Sequence, residues 1–294
     1  MNKPQNQNEI LLSVCVITYN QENYITQTLD SILTQKTSFP IEVIIGEDCS
    51  TDNTKKKCID YVRRYPDIIK FFTSDKNTGM MPNFVTTLKA CSGKYVAICE
   101  GDDFWTDSYK LQKQVELMEE NPEVSICCHN SFILNDNNVN EVSLFNPLII
   151  KTRYSMEEYL ISSQWFVPTA SIVFRNNMME CPDWLLNVKN GDVAVQLLLL
   201  RKGSLAYIND TMSVYRKLKT GVSFVNMKTL QQTHIQLLDT FNEFSGYKYN
   251  KEIEIRKARI SNGIKKEKRI TLIKIINKLL SYKGMEIRKK LPAK

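Results

Sequence analysis

Lys94–Trp105 reads KYVAICEGDDFW, and its two halves obey different rules. Tyr95, Val96, Ala97, Ile98 and Cys99 make a short apolar, β-favouring run, the composition of a strand buried within a parallel sheet. The run ends abruptly in Glu100, Gly101, Asp102 and Asp103. Three carboxylates in four residues repel one another, and they are costly to desolvate at the end of a buried strand. A cation relieves both costs, and an oxygen-only donor set suits Mg2+ or Mn2+ better than zinc. Gly101 leaves room for a bulky anion to approach the backbone. The plainer reading of the same residues is an acidic turn that caps the following helix.

Three comparable strand ends lie upstream. LLSVCVIT, residues 11–18, is a buried strand that stops at Tyr19 and Asn20. Helical spacing follows through Tyr24, Ile25, Leu29, Ile32 and Leu33. Pro40 opens a second strand over 41–46, which runs into Glu47, Asp48, Cys49, Ser50, Thr51 and Asp52. Ser50 to Asp52 are cap residues for a helix reaching about Arg64. A third strand over 68–73 gives way to the turn 74–79, with Pro82 near the start of another helix. The alternation of strands and helices predicts an α/β domain whose sheet is covered on both faces. Ligands bind such sheets beyond the carboxyl ends of the strands. Tyr19, Asp48, Asn77 or Gly79, and Glu100 to Asp103 are therefore expected in one crevice.

Downstream, Asp107 is placed to cap a helix over 108–120, with Leu111, Val115 and Met118 on one face. A strand is expected over 124–134, a turn-rich loop over 135–140, a short helix over 155–161 and a strand over 168–174. Gly191 and Asp192 open an apolar helix, and 204–215 reads as the last strand. Helices are expected over 225–244 and 251–268. The domain organisation is then a tail over 1–10, the α/β domain over 11–220, and a basic helical extension over 221–294.

The chain of 294 residues is 43% hydrophobic, enough for a real core. Its eight cysteines form no C-x-x-C pair and read as buried thiols, and its two histidines exclude a multi-histidine metal site. The first ten residues lack the apolar stretch of a signal peptide, and no apolar run approaches a membrane span, so a cytoplasmic protein is expected. The net charge of +7 is unevenly placed: residues 251–294 carry 15 Lys and Arg against four Glu, the remainder 24 against 28 Asp and Glu.

The crevice has the parts to hold a nucleotide diphosphate. Asp48 can accept a hydrogen bond from a base or ribose, Tyr19 can stack on a base, and a metal on Asp102 and Asp103 can neutralise a pyrophosphate. Taken singly, Asp48 is equally a helix cap and Tyr19 a surface aromatic. The first strand–helix turn, TYNQENY, carries no Gly-rich dinucleotide fingerprint, and no P-loop occurs.

VITYN (16–20), EDCSTDNT (47–54), Asn77/Gly79/Asn83, EGDDFW (100–105) and Gly191–Asp192 together closely resemble glycosyltransferase family 2, over about residues 12–216. The resemblance implies a GT-A-like nucleotide-binding fold with a mixed, mostly parallel sheet flanked by helices. It implies an inverting transfer of sugar from a nucleotide-diphosphate donor, with Mn2+ or Mg2+ as cofactor. It assigns nucleotide binding to Ile17, Tyr19, Asn20, Glu22, Asp48, Asn77, Gly79, Glu100 and Asp102, metal binding to Asp102 and Asp103, and the catalytic base to Asp192. Asp192 would also serve as a plain helix N-cap. The family commonly has Asp at the positions of Glu47 and Glu100. Cys49 stands where Gly is frequent, so its backbone is expected outside the left-handed region.

Trp105 and Trp165 are candidate walls for a sugar, though core packing is the commoner use of Trp. Arg216 and His234 are candidate phosphate contacts. Asp48 suits a uracil N–H, which favours a UDP-sugar. The expected acceptor is a hydroxyl of a glycan or lipid-linked molecule, in bacterial surface polysaccharide synthesis. The rival readings are a sugar-1-phosphate nucleotidyltransferase and a nucleotide-sugar-binding protein without activity. In the tail, Leu272, Ile273, Ile276, Leu279 and Leu280 share a helical face ringed by Lys and Arg. That pattern fits peripheral contact with the anionic inner membrane face, or a helix docked on the domain. No motif or aromatic interleaving supports nucleic-acid binding.

Overall fold

The computed structural model describes residues 10–135, 142–148, 151–162, 165–218 and 227–262. The chain divides into two compact units, Met1–Val225 and Asn226–Lys294, each described by itself. The apolar, basic face expected over 265–280 lies outside the described residues.

The first unit opens with three β-α pairs and a fourth strand: β1 (Leu12–Thr18), α1 (Ile25–Leu33), β2 (Ile41–Glu47), α2 (Thr54–Arg64), β3 (Ile69–Thr73), α3 (Met80–Lys89) and β4 (Tyr95–Glu100). After the acid run come β5 (Phe104–Trp105), α4 (Lys110–Glu120), β6 (Val124–Asn135), β7 (Val142–Leu144), β8 (Arg153–Tyr154), α5 (Met156–Ile161), β9 (Val173–Arg175), α6 (Gly191–Leu200) and β10 (Ser204–Lys217). The strands form one sheet in the order β3-β2-β1-β4-β9-β6-β10-β5, with β7 on β6 and β8 on β10. β1 to β4 are parallel to one another, and β6 is parallel to β10. β9 runs antiparallel between β4 and β6, and β5 antiparallel to β10. The sheet is therefore mixed and mostly parallel.

Alternation along the strands builds the core. Leu12, Val14 and Val16 of β1, Val43 and Ile45 of β2, and Tyr95, Ala97 and Cys99 of β4 share a cluster with Ile25, Leu29 and Ile32 of α1, Cys58 and Tyr61 of α2, and Leu111, Val115 and Met118 of α4. α3 covers the opposite face, where a Cβ on Gly46 would meet Thr87 Oγ1 at 1.8 Å. At the amino end of the sheet one carboxylate is buried and fully paired. Glu42 accepts from Ser13 Oγ (2.6 Å), Ser92 N (2.8 Å) and Lys70 Nζ (2.7 Å), and despite burial these partners hold its pKa near 2. At the carboxyl end, by contrast, Asp103 keeps one buried oxygen, Oδ2, without a hydrogen-bond partner.

The segment expected as a strand over 168–174 is instead a 3-10 turn, Thr169–Ser171, followed by the short antiparallel β9. Pro168 has no N–H to give a ladder, and its carbonyl instead accepts from Ser171 N (3.0 Å) and Ser171 Oγ (2.6 Å). All eight cysteines are free thiols, six of them buried.

The second unit is a helical hairpin among the described residues: α7 (Met227–Phe244), a turn through Gly246 and Tyr247 at positive φ, and α8 over 250–262. Phe241 stacks on Tyr249 and Lys257 pairs with Asp239 (2.6 Å). His234 lies on α7 in this unit. No helix among the described residues is long and apolar enough to cross a membrane.

Candidate active site

Register brings the strand ends together. Ile17 of β1 lies beside Gly46 of β2 and Glu100 of β4, and Thr18 lies beside Glu47. The loops that follow are tied by side chains. Asn20 sits at φ 52°, donates its N–H to Ser50 Oγ (2.9 Å) and accepts Thr51 N (2.8 Å). Glu22 accepts the Asn53 backbone and side-chain N–H groups at 3.0 and 2.8 Å. Asn20 and Glu22 thus fasten the β1–α1 loop to the β2–α2 loop. Tyr19 projects from this edge, 43% exposed.

Asp48 is buried and organises the loop after β3. Its Oδ1 accepts Thr78 N (2.7 Å) and Thr78 Oγ1 (2.8 Å), its Oδ2 accepts Gly79 N (2.8 Å), and its carbonyl accepts Asn77 Nδ2 (3.2 Å). An ionised carboxylate offers about four acceptor sites, so Oδ2 retains capacity for a further donor. Gly79 takes φ 95° at the start of α3. Asn77 and Gly79 therefore reach the site edge through Asp48.

Cys49 adopts φ 59°, the left-handed region, contrary to expectation. The turn is closed on both sides of it: Asp48 N donates to Thr18 O (3.1 Å), and Glu47 Oε1 accepts Ser50 N (2.5 Å). The longer Glu47 side chain also accepts Thr73 Oγ1 (2.7 Å). These bonds over-determine a conformation that costs a non-Gly residue about 1–2 kcal/mol.

The acid run is a tight turn between β4 and β5, with Asp103 N donating to Glu100 O (3.0 Å). Thr28 Oγ1 of α1 bonds the carbonyls of Gly101 (2.9 Å) and Asp103 (2.6 Å). Gly101 is needed for packing, and the space expected for a ligand is filled. A Cβ there would meet Gln21 Oε1 at 2.4 Å, Thr18 Oγ1 at 2.6 Å and Thr18 Cβ at 2.8 Å. Gln21 can swing aside, but Thr18 is buried. Gly101→Ala is expected to destabilise the first unit by about 1–3 kcal/mol, read as a lowered urea midpoint, and to lower donor turnover by shifting the turn.

Arg216, at the end of β10, clamps this turn from below. Its N–H donates to Asp103 Oδ1 (2.9 Å), and its guanidinium donates to Asp102 O and Gln27 Oε1. The guanidinium carbon lies 4.5 Å from the Phe104 ring centroid and 5.1 Å from that of Tyr24. Arg216 is thus engaged by the protein, where sequence suggested a phosphate contact. Trp105 is corrected likewise. It is 4% exposed and donates Nε1–H to Ala170 O (2.9 Å), so it is core and not a sugar wall. Against its ring packs a residue that carries no signal in the sequence. Lys110 is fully buried, 4.1 Å above the Trp105 ring and bonded to Gln114 Oε1 (2.8 Å), and burial lowers its pKa to about 7.

Burial pushes all three acids up, and repulsion from neighbouring carboxylates adds to it at Glu100 and Asp103. Glu100 rises to about 8 through burial, then Asp102, then Asp192. Burial raises Asp102 against the pull of Arg216 and Gln21, and burial, Asp102 and Glu100 raise Asp103 well above the usual carboxylate range. Asp103 Oδ2 is buried without a hydrogen-bond partner. An orphaned oxygen and like charges short of cations fit a hard divalent ion. Among the described residues no three His, Cys, Asp or Glu are grouped to hold an ion alone. Mg2+ is commonly held by one or two carboxylates, with substrate phosphates completing its shell.

Asp192 stands in the first turn of α6, its pKa raised by burial. Its charge adds to the shift of Glu100, so both carboxylates act in one electrostatic environment. A Cβ on Gly191 would meet Met81 Sδ at 2.2 Å, so the missing side chain lets α6 start against α3. Trp165 is 45% exposed and donates Nε1–H to Asp192 Oδ2 (3.1 Å). The structure brings Glu100, Asp102, Asp103, Asp192 and Trp165 to one region of the first unit, and His234 belongs to the second.

The family model described as Glycosyl transferase family 2 matches residues 13–181. The uncharacterised protein Rv1520 of Mycobacterium tuberculosis is 36% identical over 220 residues, 72% of this chain and 60% of the relative. The chain thus spans about three-fifths of that relative's length. The putative teichuronic acid biosynthesis glycosyltransferase TuaG of Bacillus subtilis is 28% identical over 229 residues, 76% of this chain and 85% of the relative. Among solved structures, S. aureus TarS 1-349 in complex with UDP is similar at TM-score 0.56 and 20% identity, covering 78% of this chain and 64% of that one. The mannosyltransferase PcManGT from Pyrobaculum calidifontis, in complex with GDP-Man and Mn2+, is similar at TM-score 0.59 and 15% identity, covering 95% and 83%. These structural likenesses establish a shared GT-A glycosyltransferase fold.

Proposed function

Because the chain belongs to glycosyl transferase family 2, we propose that it moves a sugar from a nucleoside-diphosphate donor to a hydroxyl group, with inversion at the anomeric carbon. The acceptor is a glycan or lipid-linked molecule of a bacterial surface polysaccharide, a reading supported by the role named for TuaG. The observation that carries the proposal is the raised Glu100–Asp102–Asp103 cluster sharing its field with Asp192 across the sheet edge.

Asp102 and Asp103 hold the divalent cation, which when bound supplies charge to stabilise the departing diphosphate. Ile17 and Tyr19 flank the base, and Asp48 takes a base N–H on Oδ2 while holding the Asn77–Gly79 loop against the nucleotide. Glu100 contacts the ribose. Uridine is the favoured base, since Asp48 is an acceptor and uracil offers an N–H; the UDP named for TarS supports this. Asp192 accepts the proton of the attacking hydroxyl. One base on the face opposite the leaving group requires no covalent sugar–enzyme intermediate, and the product inverts.

A donor panel with Mn2+ tests this, reading nucleoside diphosphate release. UDP-sugars are expected to release UDP faster with a glycan or lipid-linked acceptor pool present. Release from GDP-sugars alone would overturn the base assignment, and no release from any donor and acceptor would overturn the enzyme reading.

A further inference from the structure

Trp165 is not alone beside Asp192. Its ring lies 5.1 Å from that of Phe145 at 71° and 6.4 Å from that of Tyr215 at 85°. Phe145 and Tyr215 are 6.0 Å apart at 75°, which closes an edge-to-face triad. The three residues come from different parts of the chain: the loop after β7, the segment after α5, and the end of β10.

The triad is built on a rigid support. Asn146, the neighbour of Phe145, is buried and donates through Nδ2 to Phe166 O (2.8 Å) and to Tyr207 OH (2.7 Å). Phe166 is the neighbour of Trp165. Asn146 N donates to Asn130 Oδ1 (3.0 Å), and Asn130 Nδ2 donates to Asn146 O (2.8 Å). A buried, satisfied amide network thus locks the two aromatic-bearing segments onto β6. Binding side chains need supporting hydrogen bonds of this kind to hold their geometry. Trp165 keeps 45% of its surface open while its N–H is already committed to Asp192.

We propose that Trp165 is the platform of the acceptor subsite, taking the C–H face of a pyranose ring while its indole N–H orients the Asp192 carboxylate. This deepens the function proposed above and rests on it for the word acceptor. The chemistry follows from the two ends of one side chain. The π face is electron-rich and attracts the polarised C–H groups of a sugar ring. The Nε1–H donates a charge-assisted bond that fixes where the carboxylate points. A ring seated on the indole presents its hydroxyls to the oxygen that removes the proton. A linear polyol offers no such face, so the acceptor unit is cyclic.

The test is an indole 1H–15N spectrum of the full chain, which has three tryptophans. The signal absent from Trp165→Phe is that of Trp165, and the other two remaining in place show that the variant is folded. Methyl glucopyranoside is expected to displace the Trp165 signal and to spare that of the core Trp105, and ribitol to displace neither. Asp192→Asn is expected to move the Trp165 signal upfield without any sugar, because the bond loses its charge. A Trp165 signal unmoved by methyl glucopyranoside, or moved equally by ribitol, overturns the platform. A signal unmoved in Asp192→Asn overturns the orienting bond. UDP-glucose with Mn2+ displacing the same signal and excluding the methyl glycoside would assign the ring to the donor and also overturn the proposal. These readings need no turnover, so a failed donor panel and a failed platform are told apart.

Discussion

Asp192→Asn is expected to lower glycosyl transfer by roughly 10²–10⁴-fold, the contribution of a general base, with nucleoside diphosphate binding unchanged. The substitution preserves shape. The Asn carbonyl can still accept the Trp165 N–H, and its amide cannot take a proton from an acceptor hydroxyl. The raised pKa of Asp192 sharpens the assignment. A half-buried carboxyl whose pKa is raised is a stronger base than a free one, provided the pH lies above its pKa. Transfer should therefore fall on acidification at a higher pH than an ordinary carboxylate would give. The check is initial-rate transfer beside calorimetric binding of the nucleotide. Wild-type transfer by Asp192→Asn would remove Asp192 as base.

The second large effect belongs to Asp102→Asn, and it has two signs. Mn2+-dependent UDP affinity should fall by about a hundredfold or more, since even outer-shell partners of a bound metal are worth about 10–100-fold. Stability without metal should rise, because a desolvated carboxyl that opposes ionisation of Glu100 and Asp103 is gone. The pH dependence follows from Glu100, whose folded pKa of about 8 exceeds its unfolded value. Between the two values the folded chain holds a proton that the unfolded chain has lost. Metal-free stability therefore falls as pH rises through that window toward 8, and Mn2+ affinity rises over the same window as the proton leaves. Thermal melts with and without Mn2+ check both. A variant that binds metal and nucleotide as wild type does would place the cation elsewhere.

The fold was legible where a residue's role is set by its neighbours in sequence. The apolar runs at 12–18, 41–47 and 95–100 each stop at polar residues, and the strand–helix alternation aligned those stops on one edge. The acid run and Asp192 could be nominated because their residue types are costly where the pattern placed them. What stayed hidden depends on long-range contact. Gly101 faces Thr18 and Gln21, about 80 residues away, and only the folded sheet shows that the gap is filled. Arg216 reaches back 113 residues to Asp103, so a phosphate contact and a clamp look alike in sequence. Trp105 and Trp165 are the same residue type, and one is core while the other is open. Cys49 shows that a local propensity yields when Glu47 and Thr18 close a turn around it. The aromatic triad escaped notice because Phe145, Trp165 and Tyr215 share no motif and no periodicity.

The central claim is a direct displacement, with the diphosphate held at the acid turn and the attacking hydroxyl deprotonated by Asp192 on the other face of the sugar. Its most direct test is the anomeric configuration of the first product, read by NMR from an α-linked UDP-sugar before mutarotation or further reaction. The account predicts the β configuration. An α product would require two displacements or a same-face attack, and would contradict the arrangement of one base opposite one leaving group.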